Sequence, residues 1–335
     1  MNGKKRLLSL VGSLITILFL VFDGKTAIYG ASKGVTVCIG SVIPSLFPFI
    51  TISYILNSVL SGISYKPVRF LFRICGVPSG GESLLILGLS GGYPVGAQAV
   101  NDAYRNNYIT KTQARRLLAF CNNAGPAFVF GVVSCLFENK RAVWALWGVH
   151  MLSAVMVALI IPKENLQGVT LEQANLISLP EALRKSVYTV ATICGWIVLF
   201  ATFGAFTEKY VSVLLPEWAN IISLGIMELT NGIYCLLRCQ SEAVRFLFAA
   251  VFLGFGGFCV MMQTASVTKD SGMGLYFPGK LAQCAISYYL ALFVSLLLFG
   301  EFCFSLLPAL FFYCILLFSV LILRKNSRFM RNNAV

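Results

Sequence analysis

One apolar segment of the chain carries two adjacent amides and a helix break. Residues 117–137 read LLAFCNNAGPAFVFGVVSCLF, with Asn122 and Asn123 at the centre, followed closely by Gly125 and Pro126. Gly and Pro interrupt a helix and leave backbone N–H and C=O groups that lipid cannot satisfy, so these groups must face protein or a watery cavity. The two amides add donors and acceptors for a polar ligand. The segment therefore predicts a substrate-binding break in a membrane helix.

Two shorter apolar segments, residues 83–99 and 221–237, carry further candidates. Glycine permits a sharp turn and close backbone approach, and tyrosine can stack on an aromatic ring or anchor at an interface. An intramembrane carboxylate is costly unless it is paired, hydrated or protonated, and an ionised one facing the site would repel an anionic substrate. We predict that both segments bind substrate, through Gly91, Gly92, Tyr93, Pro94, Gly96, Glu228, Thr230, Asn231 and Gly232.

Residues suited to catalysis or metal binding are few. The motif GLSG at residues 88–91 matches the Gly-x-Ser-Gly pattern of intramembrane serine proteases, and His150 could supply a base, but such short patterns arise easily in Gly-rich membrane chains. His150 is the only histidine and the eleven cysteines form no Cys-x-x-Cys pair, so a zinc or iron–sulfur ligand set is missing. We predict a protein that is not an enzyme and has no catalytic residue, metal or cofactor.

The composition defines the solvent of the chain. Of its 335 residues 58% are hydrophobic and 12% charged, and the mean hydropathy is +0.81, which a soluble protein of this length could not bury. The net charge of +13 arises from Lys and Arg in short connectors, where they set topology and contact anionic lipid. Because no basic stripe is interleaved with exposed aromatics, the partner is the lipid bilayer and not nucleic acid.

The apolar segments predict an all-α polytopic membrane protein with about eight transmembrane helices and two re-entrant hairpins. The predicted spans are residues 7–22, 35–60, 117–137, 142–161, 187–206, 246–267, 281–299 and 304–323, with the hairpins at 83–99 and 221–237. The chain divides into an N-terminal helix and connector (1–34), a first gate-like repeat with a following helix (35–161), a polar connector (162–186), a second repeat with a following helix (187–300), and a C-terminal helix with a basic tail (301–335).

The two halves of the chain share a weak internal repeat. ILGLSGGYPVG at residues 86–96 aligns with IMELTNGIYCL at 226–236, placing Gly92 over Gly232 and Glu228 at the position of Gly88. Downstream, LLAFCNNAGPAF aligns with AAVFLGFGGFCV. Both halves then have the order of full span, short broken run, amphipathic connector and broken span, which is typical of secondary transporters.

Charge orients the two halves. With the N-terminus cytoplasmic, most of the 26 Lys and Arg residues fall on the cytoplasmic side, Lys280 among them. Those left outside are Lys25, Lys33, Lys140, Arg141, Lys209, Arg238 and Arg245. This asymmetry follows the positive-inside rule and makes the halves an inverted repeat.

The same segments resemble a known family. PSLFPF at residues 44–49, GGYPVGA at 91–97, ITKTQARRLLAF at 109–120 and CNNAGPAF at 121–128 resemble the YlbJ-like sporulation integral membrane proteins. That family falls within the wider group of membrane proteins with nucleoside-recognition gate domains. The resemblance implies an endospore-forming bacterium and movement of dipicolinate, a small aromatic dicarboxylate, toward the spore. The gate-domain group also resembles concentrative nucleoside transporters, which keeps nucleosides as a rival substrate.

Together these observations predict a transporter of a small polar aromatic solute, most simply an organic anion such as dipicolinate. The alternatives are a nucleoside transporter and a spore-envelope scaffold without flux. The expected location is the bacterial inner membrane or, more narrowly, the outer forespore membrane, with both termini cytoplasmic. Direction, coupling ion, a channel mechanism and assembly into a homo-oligomer stay open at this point.

Overall fold

The computed structural model describes residues 3–60, 69–78, 81–163, 176–301, 303 and 305–332. Within these ranges the chain is helical, with short 3₁₀ and π turns and no β-strand. In chain order its α-helices are α1 (Gly3–Phe22), α2 (Gly24–Val37), α3 (Ile43–Leu60), α4 (Arg69–Ile74), α5 (Glu82–Ser90), α6 (Val95–Arg105), α7 (Lys111–Leu118), α8 (Pro126–Gly131), α9 (Lys140–Ile160), α10 (Leu179–Phe206), α11 (Glu217–Met227), α12 (Leu229–Cys235), α13 (Glu242–Phe255), α14 (Gly257–Val267), α15 (Tyr276–Phe299) and α16 (Leu306–Asn332).

The length and apolar character of the helices confirm a polytopic membrane protein. Six helical stretches in the described ranges are long and apolar enough to cross a bilayer: Gly24–Leu60, Lys140–Ile160, Leu179–Leu214, Glu242–Val267, Tyr276–Phe299 and Leu306–Asn326. The other two predicted spans correspond to the shorter apolar helices Arg6–Phe22 and Pro126–Leu136.

The second helical stretch is longer than the sequence predicts. Residues 24–34 were predicted as a connector, but they form α2, which continues into α3. The junction is a π turn at Cys38–Val42, in which the Ile43 N–H donates to the Cys38 carbonyl. Pro44 lacks an N–H and its ring clashes with the carbonyl of the preceding turn, so a widened turn just before it lets the helix continue.

Packing explains why α2 is helical despite its polar composition. A Cβ at Gly30 would lie 2.7 Å from Thr202 Cα, and one at Gly34 would lie 2.8 Å from Val198 Cα. The two glycines, one turn apart, therefore let α2 lie against α10 backbone to backbone, as small residues do between membrane helices. Just before α2, Asp23 Oδ2 accepts a hydrogen bond from Lys209 Nζ at 2.5 Å. This hydrogen bond holds the pKa of Asp23 below its ordinary value.

The same order of elements occurs in both halves. In the first half α3 is followed by hairpin 1 (α5 and α6), by α7 and α8 on either side of break 1 (residues 119–125), and by α9. In the second half α10 is followed by hairpin 2 (α11 and α12), by α13 and α14 on either side of break 2 (Gly256), and by α15. α3 packs on α10 and α9 packs on α15, as expected for two similar halves.

The arms of each hairpin meet at a glycine pair. Gly88 faces Gly96 in hairpin 1, and both press on the backbone of Cys121 in break 1. In hairpin 2, Gly225 faces Gly232, and both press on the ring of one phenylalanine of α13.

This packing corrects the sequence alignment of the two hairpins. Gly232 corresponds to Gly96 rather than Gly92, and Gly225, not Glu228, corresponds to Gly88. The turn of hairpin 1 spans residues 91–94, whereas only Glu228 separates α11 from α12. A comparison without gaps cannot align turns of different length.

Candidate functional site

Break 1 rests on the tip of hairpin 1. A Cβ on Gly125 would lie 3.0 Å from both the Gly92 Cα and the Ser90 carbonyl oxygen. Gly92 has φ +75°, a left-handed conformation that glycine adopts without strain. Glycines at these two positions therefore allow backbone contact between the break and the tip.

Break 2 rests on the tip of hairpin 2 in the same way. A Cβ on Gly257 would lie 3.3 Å from the Ile226 carbonyl oxygen and 3.4 Å from the Leu229 nitrogen. Gly257 has φ +81°, so glycine again meets both the steric and the backbone requirement. The alignment of Gly125 with Gly257 is consistent with this packing.

Tyr93 joins the two halves. It is buried at the tip of hairpin 1, and its hydroxyl donates to the Leu253 carbonyl at 3.0 Å. Leu253 lies just before break 2, where the helical ladder ends. A Cβ on Gly256 would lie 3.3 Å from the same hydroxyl oxygen. Both hairpin tips and both breaks therefore converge on one region.

A small cavity, hereafter the central cavity, lies at this convergence. Its volume is ≈ 40 Å³, which accommodates about three water molecules and no aromatic ring. Any aromatic solute would therefore require the walls to move apart. The lining residues are Val42, Leu46, Gly92, Tyr93, Gly125, Phe128, Ile193, Ile197, Glu228, Leu229, Thr230, Val260 and Gln263.

The structure places the predicted site residues in two groups. The wall of the central cavity includes Gly92, Tyr93, Gly125, Glu228 and Thr230. The other predicted residues lie outside the cavity wall, on the same elements or next to them. Their positions are the turn of hairpin 1 and the start of α6 (Gly91, Pro94, Gly96), break 1 and the start of α8 (Asn122, Asn123, Pro126), and the first turn of α12 (Asn231, Gly232). Gln263 of α14 is a wall residue outside the predicted set.

Glu228 caps the helix that follows it. Its carboxylate accepts the N–H of Thr230 at 2.9 Å and the N–H of Asn231 at 2.7 Å, and its side chain is buried. These are the first backbone donors of α12, which lack partners within the helix. Both carboxyl oxygens thus have backbone N–H partners at the positive end of a helix.

Asn122 ties break 1 to its surroundings. Its carbonyl oxygen accepts the Ala97 N–H at 3.3 Å, and its amide donates to the Thr264 hydroxyl at 2.9 Å and the Tyr276 hydroxyl at 3.3 Å. One fully buried side chain therefore links hairpin 1, α14 and α15. The sequence predicted ligand contact for this amide, but in this arrangement its partners are protein groups.

Asn123 contacts Lys280, a residue that the sequence predicted to lie in a connector. Its amide donates to the Phe120 carbonyl at 2.6 Å, and its oxygen accepts from Gln283 Nε2 at 2.9 Å and from Lys280 Nζ at 3.2 Å. Lys280 was predicted in a cytoplasmic connector, which is wrong because α15 begins at Tyr276, before the predicted 281. Its side chain is 0% exposed.

Ser90 and His150, weighed as a catalytic pair, have other partners. The Ser90 hydroxyl donates to the Ile86 carbonyl of its own helix at 2.7 Å. His150 Nε2 accepts the Ala124 N–H at 3.0 Å, so the neutral ring carries its proton on Nδ1. The histidine therefore satisfies a backbone donor that break 1 leaves free.

A larger space, hereafter the vestibule, lies between α3, hairpin 1 and α10. Its volume is ≈ 620 Å³, and its wall includes Asn57, Asp102 and Lys185. A hydrogen-bonded cluster stands at its inner end, where the Tyr54 hydroxyl contacts Gln98 Oε1 at 2.7 Å and the Thr189 hydroxyl at 2.8 Å. The cluster joins α3, α6 and α10, the helices that separate the vestibule from the central cavity.

A second bridge connects hairpin 2 to the helix that contains α2 and α3. The Tyr234 hydroxyl of α12 lies 2.7 Å from the Ser41 hydroxyl in the π turn. Hairpin 2 therefore contacts this helix through its second arm, as hairpin 1 does through Gln98.

Comparison with known proteins found a relative that aligns with most of the chain. The chain is 27% identical over 345 residues to the sporulation integral membrane protein YlbJ of Bacillus subtilis (strain 168), covering 87% of this chain and 84% of the relative. No protein-family model and no solved structure matches the chain. The similarity extends over most of both proteins and confirms the predicted resemblance to the YlbJ-like sporulation integral membrane proteins.

Proposed function

We propose that this protein is a membrane transporter of a small polar solute and that the central cavity is its binding site. The observation that carries the proposal is the convergence of two hairpin tips and two helix breaks on one cavity. In secondary transporters, broken helices from two repeats meet at the substrate site near mid-membrane. Tyr93 and Phe128 offer aromatic surface there, and Thr230 and Gln263 offer polar groups.

A route to one side of the membrane follows from three helices. Along α10, Ile193 lines the central cavity, Thr189 belongs to the Tyr54 cluster, and Lys185 lines the vestibule. α3 contributes to the same three levels in the same order through Leu46, Tyr54 and Asn57, whereas α6 contributes to the cluster and the vestibule only. The Tyr54 cluster is thus a barrier between cavity and vestibule, which the predicted orientation places on the cytoplasmic side.

In an alternating-access mechanism, the Tyr54 cluster and the Ser41–Tyr234 bridge would open in turn. Parting of the Tyr54 cluster opens the cavity to the vestibule while the Ser41–Tyr234 bridge stays closed, and the reverse opens it to the other side. Substrate would enter as a hairpin moves from its break.

The substrate class rests on the relative as well as on the cavity. YlbJ is named as a sporulation protein, and we propose a sporulation role for this chain, in the cell membrane or the outer forespore membrane. A planar aromatic anion such as dipicolinate suits a site with ring surface and hydrogen-bond donors. No catalytic step is proposed, and assembly into a homo-oligomer is compatible with this mechanism.

Uptake by proteoliposomes tests the proposal. Labelled dipicolinate and labelled uridine are each supplied with and without an inward proton gradient, using the whole chain and Thr230→Val. The matched control is Thr192→Val, because Thr192 is partly exposed on α10 and its hydroxyl donates within its own helix, to the Tyr188 carbonyl.

We expect dipicolinate flux that falls at least about tenfold in Thr230→Val, the effect of losing a polar contact worth about 1.4 kcal/mol, and is unchanged in Thr192→Val. Flux of uridine alone would assign the site to nucleosides. Flux of neither solute through folded protein would refute transport and favour the scaffold alternative.

A further inference from the structure

We propose that Lys280 makes the central cavity selective for anions, acting through Tyr93 as a specificity-determining residue. The proposal rests on the transport function proposed above and names the residue that would select an anion over a neutral solute. It concerns a residue that no sequence motif indicated.

The surroundings of Lys280 suit a charged ammonium group. Nζ donates to Gln283 Oε1 at 2.8 Å and to Asn123 Oδ1 at 3.2 Å. It also lies 5.3 Å from the ring centroid of Tyr93 and 5.9 Å from that of Tyr276, within the range of cation–π attraction. Two carbonyl acceptors and two aromatic faces thus surround a side chain with no solvent exposure.

The charge of Lys280 has no counter-ion in the described part of the chain. Lys33, Lys185 and Lys209 each lie within 4 Å of a carboxylate there, and Lys280 does not. The neighbouring titratable groups are Tyr93 from hairpin 1, Tyr276 from α15, Cys121 from break 1 and, beyond Gln283, His150 from α9. None of these is an acid that is ionised near neutral pH. A buried cation without a carboxylate is costly, and such residues in membrane proteins mark ligand and ion pathways.

Tyr93 connects this cation to the central cavity. Tyr93 lines the cavity, and its ring lies against the Lys280 ammonium. Glu228 is the carboxylate in the cavity wall, and its two oxygens already accept N–H groups of α12. The lysine charge therefore remains available to a bound anion, which would serve as its counter-ion.

The expected effect is large enough to measure. A solute stacked on Tyr93 would lie about 9 Å from Nζ, taking 5.3 Å to the ring centre and about 3.5 Å for the stack. At an effective dielectric constant of about 20, Coulomb's law gives about a 20-fold change in Kd for each unit of ligand charge.

The test compares two ligands of the same shape and different charge. Calorimetry on the purified whole chain measures Kd for pyridine-2,6-dicarboxylate and for its neutral analogue, pyridine-2,6-dicarboxamide. Lys280→Gln removes the charge. Gln283→Glu keeps the lysine and its 2.8 Å neighbour but supplies an internal counter-ion, so it serves if the first variant fails to fold.

We expect the wild type to prefer the dicarboxylate and each folded variant to bind it about 20-fold or more weakly, with dicarboxamide affinity within about twofold of wild type. Equal loss of both ligands would indicate a positioning role and overturn the inference, as would an unchanged preference in both variants. Failure of the wild type to bind either ligand would overturn the proposed function together with the inference.

Discussion

Replacing Gly88 with alanine tests whether hairpin 1 is held against break 1 by backbone contact. In an isolated helix the change favours folding by about 1 kcal/mol, because alanine is the better helix former. In this structure the new Cβ would lie 2.6 Å from the carbonyl carbon of Cys121 and closer still to its oxygen. Ordinary contacts between carbon atoms lie at about 3.5–4.0 Å, so hairpin and break must separate by about 1 Å.

The size of the effect follows from these two opposing contributions. Overpacking of a well-packed site costs about 1–3 kcal/mol, and a backbone group that cannot rotate away places Gly88→Ala at the upper end. After subtraction of the helix gain, we expect a net destabilisation of about 2 kcal/mol. For a chain of 335 residues that lowers Tm by about 3 °C.

Thermal unfolding of the purified protein in detergent measures this shift, and the uptake assay measures its functional consequence. Gly148→Ala and Gly195→Ala are matched controls, because both glycines are helical and nothing lies within 4 Å of an added Cβ. The controls should keep or raise Tm. A Gly88→Ala protein with wild-type Tm and wild-type uptake would refute the close contact of hairpin and break.

Two further predictions concern the barrier and the cap. Tyr54→Phe removes the hydroxyl that contacts Gln98 and Thr189; losing two hydrogen bonds, worth about 1 kcal/mol each, should speed amide hydrogen exchange in α6 about 10-fold or more, and unchanged exchange would contradict the barrier role. Glu228→Gln leaves one N–H of α12 without its acceptor, at a cost of about 1–2 kcal/mol. Its Tm should fall by about 1.5–3 °C, whereas the exposed first-turn change Glu217→Gln should leave Tm within about 0.5 °C; equal shifts would argue against the cap.

Much of the architecture could be predicted from local chemistry. Composition alone requires lipid as the solvent. The Gly125–Pro126 pair in an apolar run identifies break 1, because backbone groups freed by a helix break must face protein or a watery cavity. Gly92, Gly125 and Glu228 could be identified as site residues for the same reason: a sharp turn, a close approach and an intramembrane carboxylate are each unusual and costly.

The remaining features depend on partners distant in the sequence. Lys280 looks like a connector residue until α15 extends past it and the amide of Asn123 lies beside it. Residues 24–34 are polar enough for a loop, and they become helical because Gly30 and Gly34 fit against α10. Asn122 is an unusual residue for a membrane, yet the sequence cannot say whether its partner is a ligand or a neighbouring helix. Pairings of this kind are set by tertiary packing, which one sequence does not display.

Locating a bound substrate tests the central claim most directly. A structure of the protein with 4-bromopyridine-2,6-dicarboxylate would place the bromine by its anomalous signal. We expect the bromine at a single position in the central cavity, with the ligand ring on Tyr93 and near Thr230 and Gln263. The two hairpin tips should lie farther apart than in the structure described here. Bromine found only in the vestibule or at the lipid surface would contradict it.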